Sequence, residues 1–394
     1  MLGVPGVARA DSTLTFSGTL TEGEPEHVLV DFEVPAGTKE IQIDHDDLSA
    51  DDILDWGLWS PEGFRGWGGG NSEPLVVGEQ ASSRSYLTGP ITAGTWHFDI
   101  GKAKLVGGSA DYSITVTLRD APTLAAQPER TAYVAPGPTL SDAADWYAGD
   151  FHVHSEESGD ASATFQQITD LARERGLDFV ELSDHNTTAQ LDFYDSIQSG
   201  VDDLLFIPGV EFTTYHGHAN GVGATSFVDF RIGLPGVDIH AAAKAYHDQG
   251  ALFSINHPAF DLGDACIGCA FQYVDEMEPG ELDGIEVATA GSAQIFYDQT
   301  SKIWEKLAAN GHRLAALGGS DDHRAGMDDA EIGSPTTLVL ADNLSEAAII
   351  DAIQHGRTIV NLRGPDDPVL DFTAHGKGGT TAEIGDSVTG VARA

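Results

Sequence analysis

Positive charge is scarce in this chain. Of 394 residues only 20 are Lys or Arg, seven of them Lys, against 62 Asp and Glu, giving a formal net charge of −42 with His neutral. That balance excludes nucleic acid as a partner, because polyphosphate binding is driven by Lys and Arg displacing counterions. It excludes docking on an anionic membrane for the same reason. Long apolar runs are missing too: none approaches the roughly 20 residues that a membrane-spanning helix needs. Cysteine is reduced to Cys266 and Cys269, too few for a disulfide framework. Such a pair can close a small-loop disulfide in an oxidising compartment, or simply pack. The rest is ordinary globular composition, 41% hydrophobic with 46 Gly. The acidic, Lys-poor surface describes the protein's surroundings more than its function.

Residues 1–10 hold Ala8-Arg9-Ala10 ahead of Asp11, the small-x-small form of a signal-peptidase site. They are expected to be the remnant of an export signal, and the protein to be secreted or periplasmic. Residues 11–119 read as a β-sandwich. Leu14, Phe16 and Leu20, then Val28, Val30, Phe32 and Val34, then Ile41 and Ile43 alternate with polar residues, as do Trp96, Phe98 and Ile100 and the run Tyr112, Ile114, Val116, Leu118. Period-two alternation in short runs broken by Gly, Pro and Asp is the mark of half-buried strands. Only His27, His45 and His97 of the 15 His fall here. Asp44, Asp46, Asp47, Asp51 and Asp52 read as a solvated acidic loop rather than a calcium site. Residues 120–145, with Pro122, Pro128, Pro136 and Pro138 and no periodicity, have linker composition.

The rhythm changes over residues 146–394. Strand-like runs at Asp150–Val153, Phe179–Leu182, Leu204–Val210, Ala251–Ile255, Gly284–Val287, Leu314–Leu317 and Thr336–Leu340 alternate with helical patterns at Thr164–Arg175, Asp238–Gln249, Ser301–Asn310 and Ser345–Gln354. Ser345 is placed as an N-cap, and Gly311 and Gly356 as C-terminal caps. Strands alternating with helices predict a parallel sheet of βα units, and this many predict a barrel, whose chemistry collects at the carboxyl ends of the strands.

Those ends carry His and carboxylate repeatedly. The first strand runs into His152-Val153-His154, two imidazoles two apart in extended chain and so on one side. The second runs into Asp184-His185, the third into Glu211 with His216 and His218 beyond. The later ones run into Asn256-His257-Pro258 and Gly319-Ser320-Asp321-Asp322-His323. A lone strand-end His is usually a packing residue; five strand ends of this kind point to metal. Imidazole and carboxylate without thiolate suit Zn, Mn or Fe(II). Since a mononuclear site uses three or four ligands, the candidates imply two or three divalent ions with Glu211 bridging. Such ions supply a hydroxide nucleophile at neutral pH and clamp phosphoryl or acyl oxygens.

The stretch Trp146–His154, then Ser183-Asp184-His185-Asn186, Gly209-Val210-Glu211, Asn256-His257-Pro258 and Gly319–His323 resemble the five motifs of the PHP (polymerase and histidinol phosphatase) superfamily, in order, over residues 146 to about 363. The resemblance implies a distorted (β/α)7 TIM-like barrel with a trinuclear centre. By that likeness His152, His154, Glu211 and Asp321 would hold one metal, Glu211, His218 and His257 a second, and Asp160, His185 and His323 a third. Where the family reads Ser-Asp-Gly this chain has Ser158-Gly159-Asp160, which moves the acidic ligand by one residue; Asp160 is the choice and Glu157 the reserve. His216 rivals His218. The Trp146-Tyr147 lead-in and the Cys266–Cys269 pair resemble the branch named after carbaryl (aryl N-methylcarbamate) hydrolases, often exported with an N-terminal β domain. There the Cys pair would fix the loop beside the site; a role as zinc ligands would need two further ligands.

The expected function is a metal-dependent phosphoesterase acting on a small-molecule or exposed phosphate ester. Asp184 would orient a ligand or pass protons, His323 or His216 would be the general acid, and Arg324 would contact phosphate. The alternatives are carbamate or carboxylic-ester hydrolysis at the same centre, and a non-catalytic secreted binding protein.

Overall fold

The computed structural model describes residues 11–289, 294–327, 330–370, 372–376, 378–387 and 391–393. The Ala8-Arg9-Ala10 segment lies outside the described residues. The chain divides into two compact units, Met1–Thr131 with Glu157–Asp160, and Ala132–Glu156 with Ala161–Ala394.

The first unit is built of strands β1 (Ser12–Thr21), β2 (His27–Val34), β3 (Glu40–Asp46), β4 (Ile53–Ser60), β5 (Gly63–Trp67), β6 (Leu75–Gly78), β7 (Gly94–Lys104) and β8 (Ser109–Arg119). They form two four-stranded antiparallel sheets, in the orders β1-β8-β3-β6 and β2-β7-β4-β5. The alternation decides which faces meet. Ile41, Ile43, Ile114 and Val116 from one sheet and Leu58, Trp96, Phe98 and Ile100 from the other are fully buried in a single core. Between Arg119 and Asp145 there is no helix or strand. Thr123 and Leu124 are tied to the Glu40 carboxylate, and the Leu140 N–H donates to the Leu344 carbonyl.

The second unit is mixed α/β. In chain order it runs β9 (Asp145–Val153), α1 (Phe165–Glu174), β10 (Phe179–Leu182), α2 (Tyr194–Gln198), β11 (Leu205–Pro208), β12 (Glu211–Thr214), β13 (Gly217–Val222), α3 (Ile239–Asp248) and β14 (Leu252–Ile255). It continues with β15 (Gly284–Thr289), α4 (Gln294–Ala309), β16 (Ala315–Gly319), β17 (Thr336–Ala341), α5 (Glu346–Gln354) and β18 (Thr358–Asn361). Three short strands follow: β19 (Ala374–Gly376), β20 (Thr381–Ala382) and β21 (Val391–Arg393). Helix starts follow side-chain chemistry: Thr164 makes a capping box with Gln167, and Asp238 and Ser345 cap α3 and α5. No described helix is long and apolar enough to cross a membrane.

The distorted (β/α)7 barrel that the resemblance implies is not evident among the described residues. Ten of the strands make two five-stranded sheets, β11-β10-β9-β17-β18 and β12-β13-β14-β15-β16, the last three make a small sheet β20-β19-β21, and the described residues include only five α-helices. Isolated bridges Val153–Asp322 and His185–Glu211 join the sheets at the ligand-bearing ends. The departure has a local cause. The apolar run expected over Leu204–Val210 stops at Pro208, so Glu211 opens β12 instead of ending a strand. Only Tyr215 and His216 separate β12 from β13, too few for a crossover helix, so the two pair antiparallel. The parallel rule does hold locally, for β9-β10-β11 and β14-β15-β16.

Candidate metal centre

Each ligand position is set by a strand end or a tight turn. His152 lies in β9 and His154 just beyond it, and strand alternation puts their rings 5.1 Å apart on one side. The β12–β13 hairpin sets Glu211 opposite Asn220 and Thr213 opposite His218, so both ligands project from one paired unit. Asn186, His257 and Asp321, all in the sequence-predicted motifs, have φ of 50°, 23° and 57°. Non-glycine residues in that region cost of order 1–3 kcal/mol each and persist where surrounding structure holds them, commonly at functional sites. Gly319 makes room: a Cβ there would collide with the His152 side chain.

Glu211 is the centre of the arrangement. It is fully buried, and five imidazoles face its two oxygens. Its Oε1 is 3.2 Å from His152 Nε2, 3.4 Å from His218 Nδ1 and 3.1 Å from His257 Nε2. Its Oε2 is 3.4 Å from His154 Nε2 and 2.9 Å from His185 Nδ1. Asp321 Oδ1 lies 3.2 Å from both His152 Nε2 and His154 Nε2. His323 stacks on His154 with ring centroids 4.0 Å apart. Three groups have ligand atoms within 4.8 Å of one another: His152, His154, Glu211 and Asp321; His154, His185 and His323; and His218, His257 and Cys269.

These side chains fit divalent ions. His152 Nε2, both nitrogens of His154, His218 Nε2 and Glu211 Oε2 are buried without a hydrogen-bond partner, a costly state for polar atoms unless something else binds them. Two donors about 2.1 Å from a shared ion, at a coordination angle near 100°, stand about 3.2 Å apart. The separations around Glu211 and Asp321 are of that size. The electrostatics agree. Burial opposes the charge on His152, but Glu211, Asp321 and Glu286 outweigh it and hold its pKa well above the usual imidazole value. Burial likewise works against the Glu211 carboxylate, yet His152, His185 and His218 hold it well below the usual range. His154 goes the other way, down to about 3, from burial and then the neighbouring His323 and His185. A neutral His154 keeps a lone pair available to a metal.

Not every predicted site residue joins these groups. Asp160 is exposed, and its carboxylate accepts the Ser158 hydroxyl at 2.9 Å. The Glu157 carboxylate is taken by Arg130 and by the Ser85 N–H, each at 3.1 Å. His216 is half-buried in the β12–β13 turn, with its ring edge-on to Tyr273. Arg324 is exposed, and its N–H donates to Asp322. Buried Asp184 accepts the Ser155 N–H and hydroxyl, both at 2.6 Å, which fixes the chain directly after His154.

Two contributors had no role assigned from the sequence, and a third was placed only beside the site. Glu286, the lone charge in β15, is buried; its Oε2 accepts the His257 N–H at 2.9 Å and lies 3.2 Å from His152 Nδ1. Its signal was available, as the single carboxylate in an otherwise uncharged strand. Asn256 donates to Glu211 Oε1 at 2.9 Å, a role no spacing announces. Cys269, joined to Cys266 in a disulfide, places Sγ 3.9 Å from His218 Nδ1.

No family model matches the chain, and no curated protein does. Among solved structures, it is similar to a two-domain protein from Bacteroides vulgatus containing a predicted PHP-like metal-dependent phosphoesterase. That match has 22% identity and a TM-score of 0.42, and covers 61% of this chain and 70% of that one. It is also similar to an amidohydrolase from Chromobacterium violaceum with bound sulfate and no metal, at 16% identity and a TM-score of 0.34, covering 46% of this chain and 90% of that one.

Proposed function

We propose that the protein is a metal-dependent hydrolase of PHP type, a phosphoesterase for a small or exposed phosphate ester. The observation that carries this reading is the Glu211 carboxylate: its two oxygens face different sets of imidazoles, as a ligand bridging two ions must. Two or three divalent ions, Zn, Mn or Fe(II), would supply Lewis acidity and activate water. His152, His154, Glu211 and Asp321 would hold one, Glu211, His218 and His257 another, and His185 and His323 would contribute to a third. The chain's own contribution is to fix these donors. Glu286 receives the His152 Nδ1 proton and so turns Nε2 inward, and the Cys269 carbonyl does the same for His257. His323 Nδ1 donates to the Asp321 carbonyl at 2.8 Å, which leaves Nε2 as its ligand atom.

Carbamate or carboxylic-ester hydrolysis is the second reading. It is favoured by Arg324, the expected phosphate contact, which is exposed and whose backbone N–H donates to Asp322. An uncharged substrate needs no cationic clamp. An exported location fits the Cys266–Cys269 disulfide.

The test compares p-nitrophenyl phosphate, bis-p-nitrophenyl phosphate and 1-naphthyl N-methylcarbamate on one metal-loaded preparation. Phosphate-ester turnover abolished by chelation and restored by metal is the expected result. Turnover of the carbamate alone moves the assignment to the second reading, and full metal content with no turnover makes the protein a binding protein.

A further inference from the structure

A metal site with three protein donors and an open fourth position is catalytic, and one with four protein donors is closed. Glu211 Oε1, His257 Nε2 and His218 Nδ1 supply three donors to one side of the centre, and Cys269 Sγ groups with the two imidazoles within 4.8 Å. Sulfur and nitrogen sharing a tetrahedral zinc are about 3.6 Å apart, from bonds of about 2.3 and 2.0–2.1 Å. Cys269 Sγ is 3.9 Å from His218 Nδ1. The sulfur is kept from coordinating by its bond to Cys266. A disulfide sulfur is a poor ligand; the thiolate is the ligand form.

We propose that the Cys266–Cys269 disulfide is a redox latch on this site: oxidised, it leaves a coordination position open, and reduced, it lets the Cys269 thiolate close it. The inference rests on the metal-centre reading above. Accessibility sets the direction of attack. Cys266 is half-buried and Cys269 is 1% exposed. A dithiol reductant therefore attacks Cys266 Sγ, the S–S bond breaks, and Cys269 leaves as the thiolate. The second reductant sulfur then displaces Cys266, so two electrons pass to the protein and the reductant ends as its own disulfide. Any proton that Cys269 picks up is released when the sulfur meets a metal ion.

The backbone keeps Cys269 in position after reduction. Its carbonyl is 3.2 Å from His257 Nδ1. The Phe271 and Gln272 N–H groups donate to the Pro258 and His216 carbonyls. Gly268, at φ 83°, lies so close to the Thr214 carbonyl that no side chain fits. Only the sulfur's rotation about Cα–Cβ is freed.

Cobalt(II) reports the ligand directly, because a coordinated thiolate adds a sulfur-to-cobalt charge-transfer band in the near ultraviolet. The full-length protein is loaded with cobalt and its spectrum recorded before and after reduction with a non-chelating phosphine, alongside Cys266→Ser and Cys269→Ser. The expected result is no band in the oxidised protein and a band with loss of turnover on reduction. Cys266→Ser should show the band without reductant, and Cys269→Ser in neither state. Cobalt uptake without a band in the reduced protein and in Cys266→Ser overturns the latch and leaves the metal centre standing. Failure of every form to take up cobalt overturns both.

Discussion

The two units bury charge in opposite ways. In the sandwich buried charges are scattered and paired one at a time, with single atoms such as Asp99 Oδ1 left without a hydrogen bond. Glu40 accepts from Thr123 and Leu124, Asp99 faces His27 at 3.1 Å, and Arg65 donates to the Leu87, Gly89 and Pro90 carbonyls. In the second unit buried imidazoles and carboxylates converge on one carboxylate, and several of their polar atoms have no hydrogen bond at all. The first pattern is that of a unit stabilised by its own contacts. The second is that of a unit whose polar interior is completed from outside, since half-satisfied buried networks are costly.

The sharpest way to break this contrast is Glu211→Gln. The substitution keeps shape but removes the charge that separates two ions, so at least one equivalent of metal should be lost and turnover should fall at least ~10³-fold, about 4 kcal/mol at the transition state. Elemental analysis beside kinetics checks it; full metal content with near-normal rate would remove Glu211 from the bridging role. Next in size is Phe98→Ala in the sandwich core. It should cost about 3–5 kcal/mol of that unit's stability, read by denaturant titration, with metal stoichiometry unchanged. Glu286→Gln comes third. It keeps a hydrogen-bonding group beside His152 and His257 but weakens its pull on both, and metal affinity should fall about 10–100-fold. Competition with a chromophoric chelator measures this, and an unchanged affinity would make Glu286 merely structural.

The smallest effect concerns His45, whose ring packs 4.6 Å from Trp56 and whose pKa burial lowers to about 4. The folded sandwich resists a proton that the unfolded chain accepts near the ordinary value of about 6.5. Its contribution to stability is therefore full above pH 6.5 and drains away as pH falls toward 4. His45→Phe should flatten the melting temperature across that window, and a slope identical to wild type would locate the acid sensitivity elsewhere.

How much of this was legible in the sequence depended on the range of the interaction. The alternation in Ile41-Gln42-Ile43 and in Trp96–Ile100 reports a local period, and the sandwich strands follow it. His152, His154, Glu211 and His257 were visible because each sits at a strand end or turn whose boundaries short-range patterns mark. The β12–β13 hairpin was not, because Gly217–Val222 (GHANGV) has no apolar alternation; its strand character comes from pairing with β12 and β14. Asp160 and its rival Glu157 could not be told apart in the sequence for a related reason. A one-residue shift in a Gly-containing loop changes where a carboxylate points, and only the folded loop decides that. The Glu286–His152 contact links residues 134 positions apart on β15 and β9. No spacing rule reaches so far.

The graded exposure of the ligands has a kinetic consequence. Glu211, His152, His154 and His257 are at most 1% exposed by side chain, whereas His185 is 13%, His323 21% and Asp321 23% exposed. Ions should therefore enter and leave past the His185–His323 edge, and the inner positions should exchange only after the outer one empties. Chelation should strip the protein in stages, one rapid and one slow, and material purified without added metal should be deficient first at the outer group. Occupancy is then a matter of history as well as affinity: two preparations with the same sequence and fold can differ in turnover because their outermost ion left at different times.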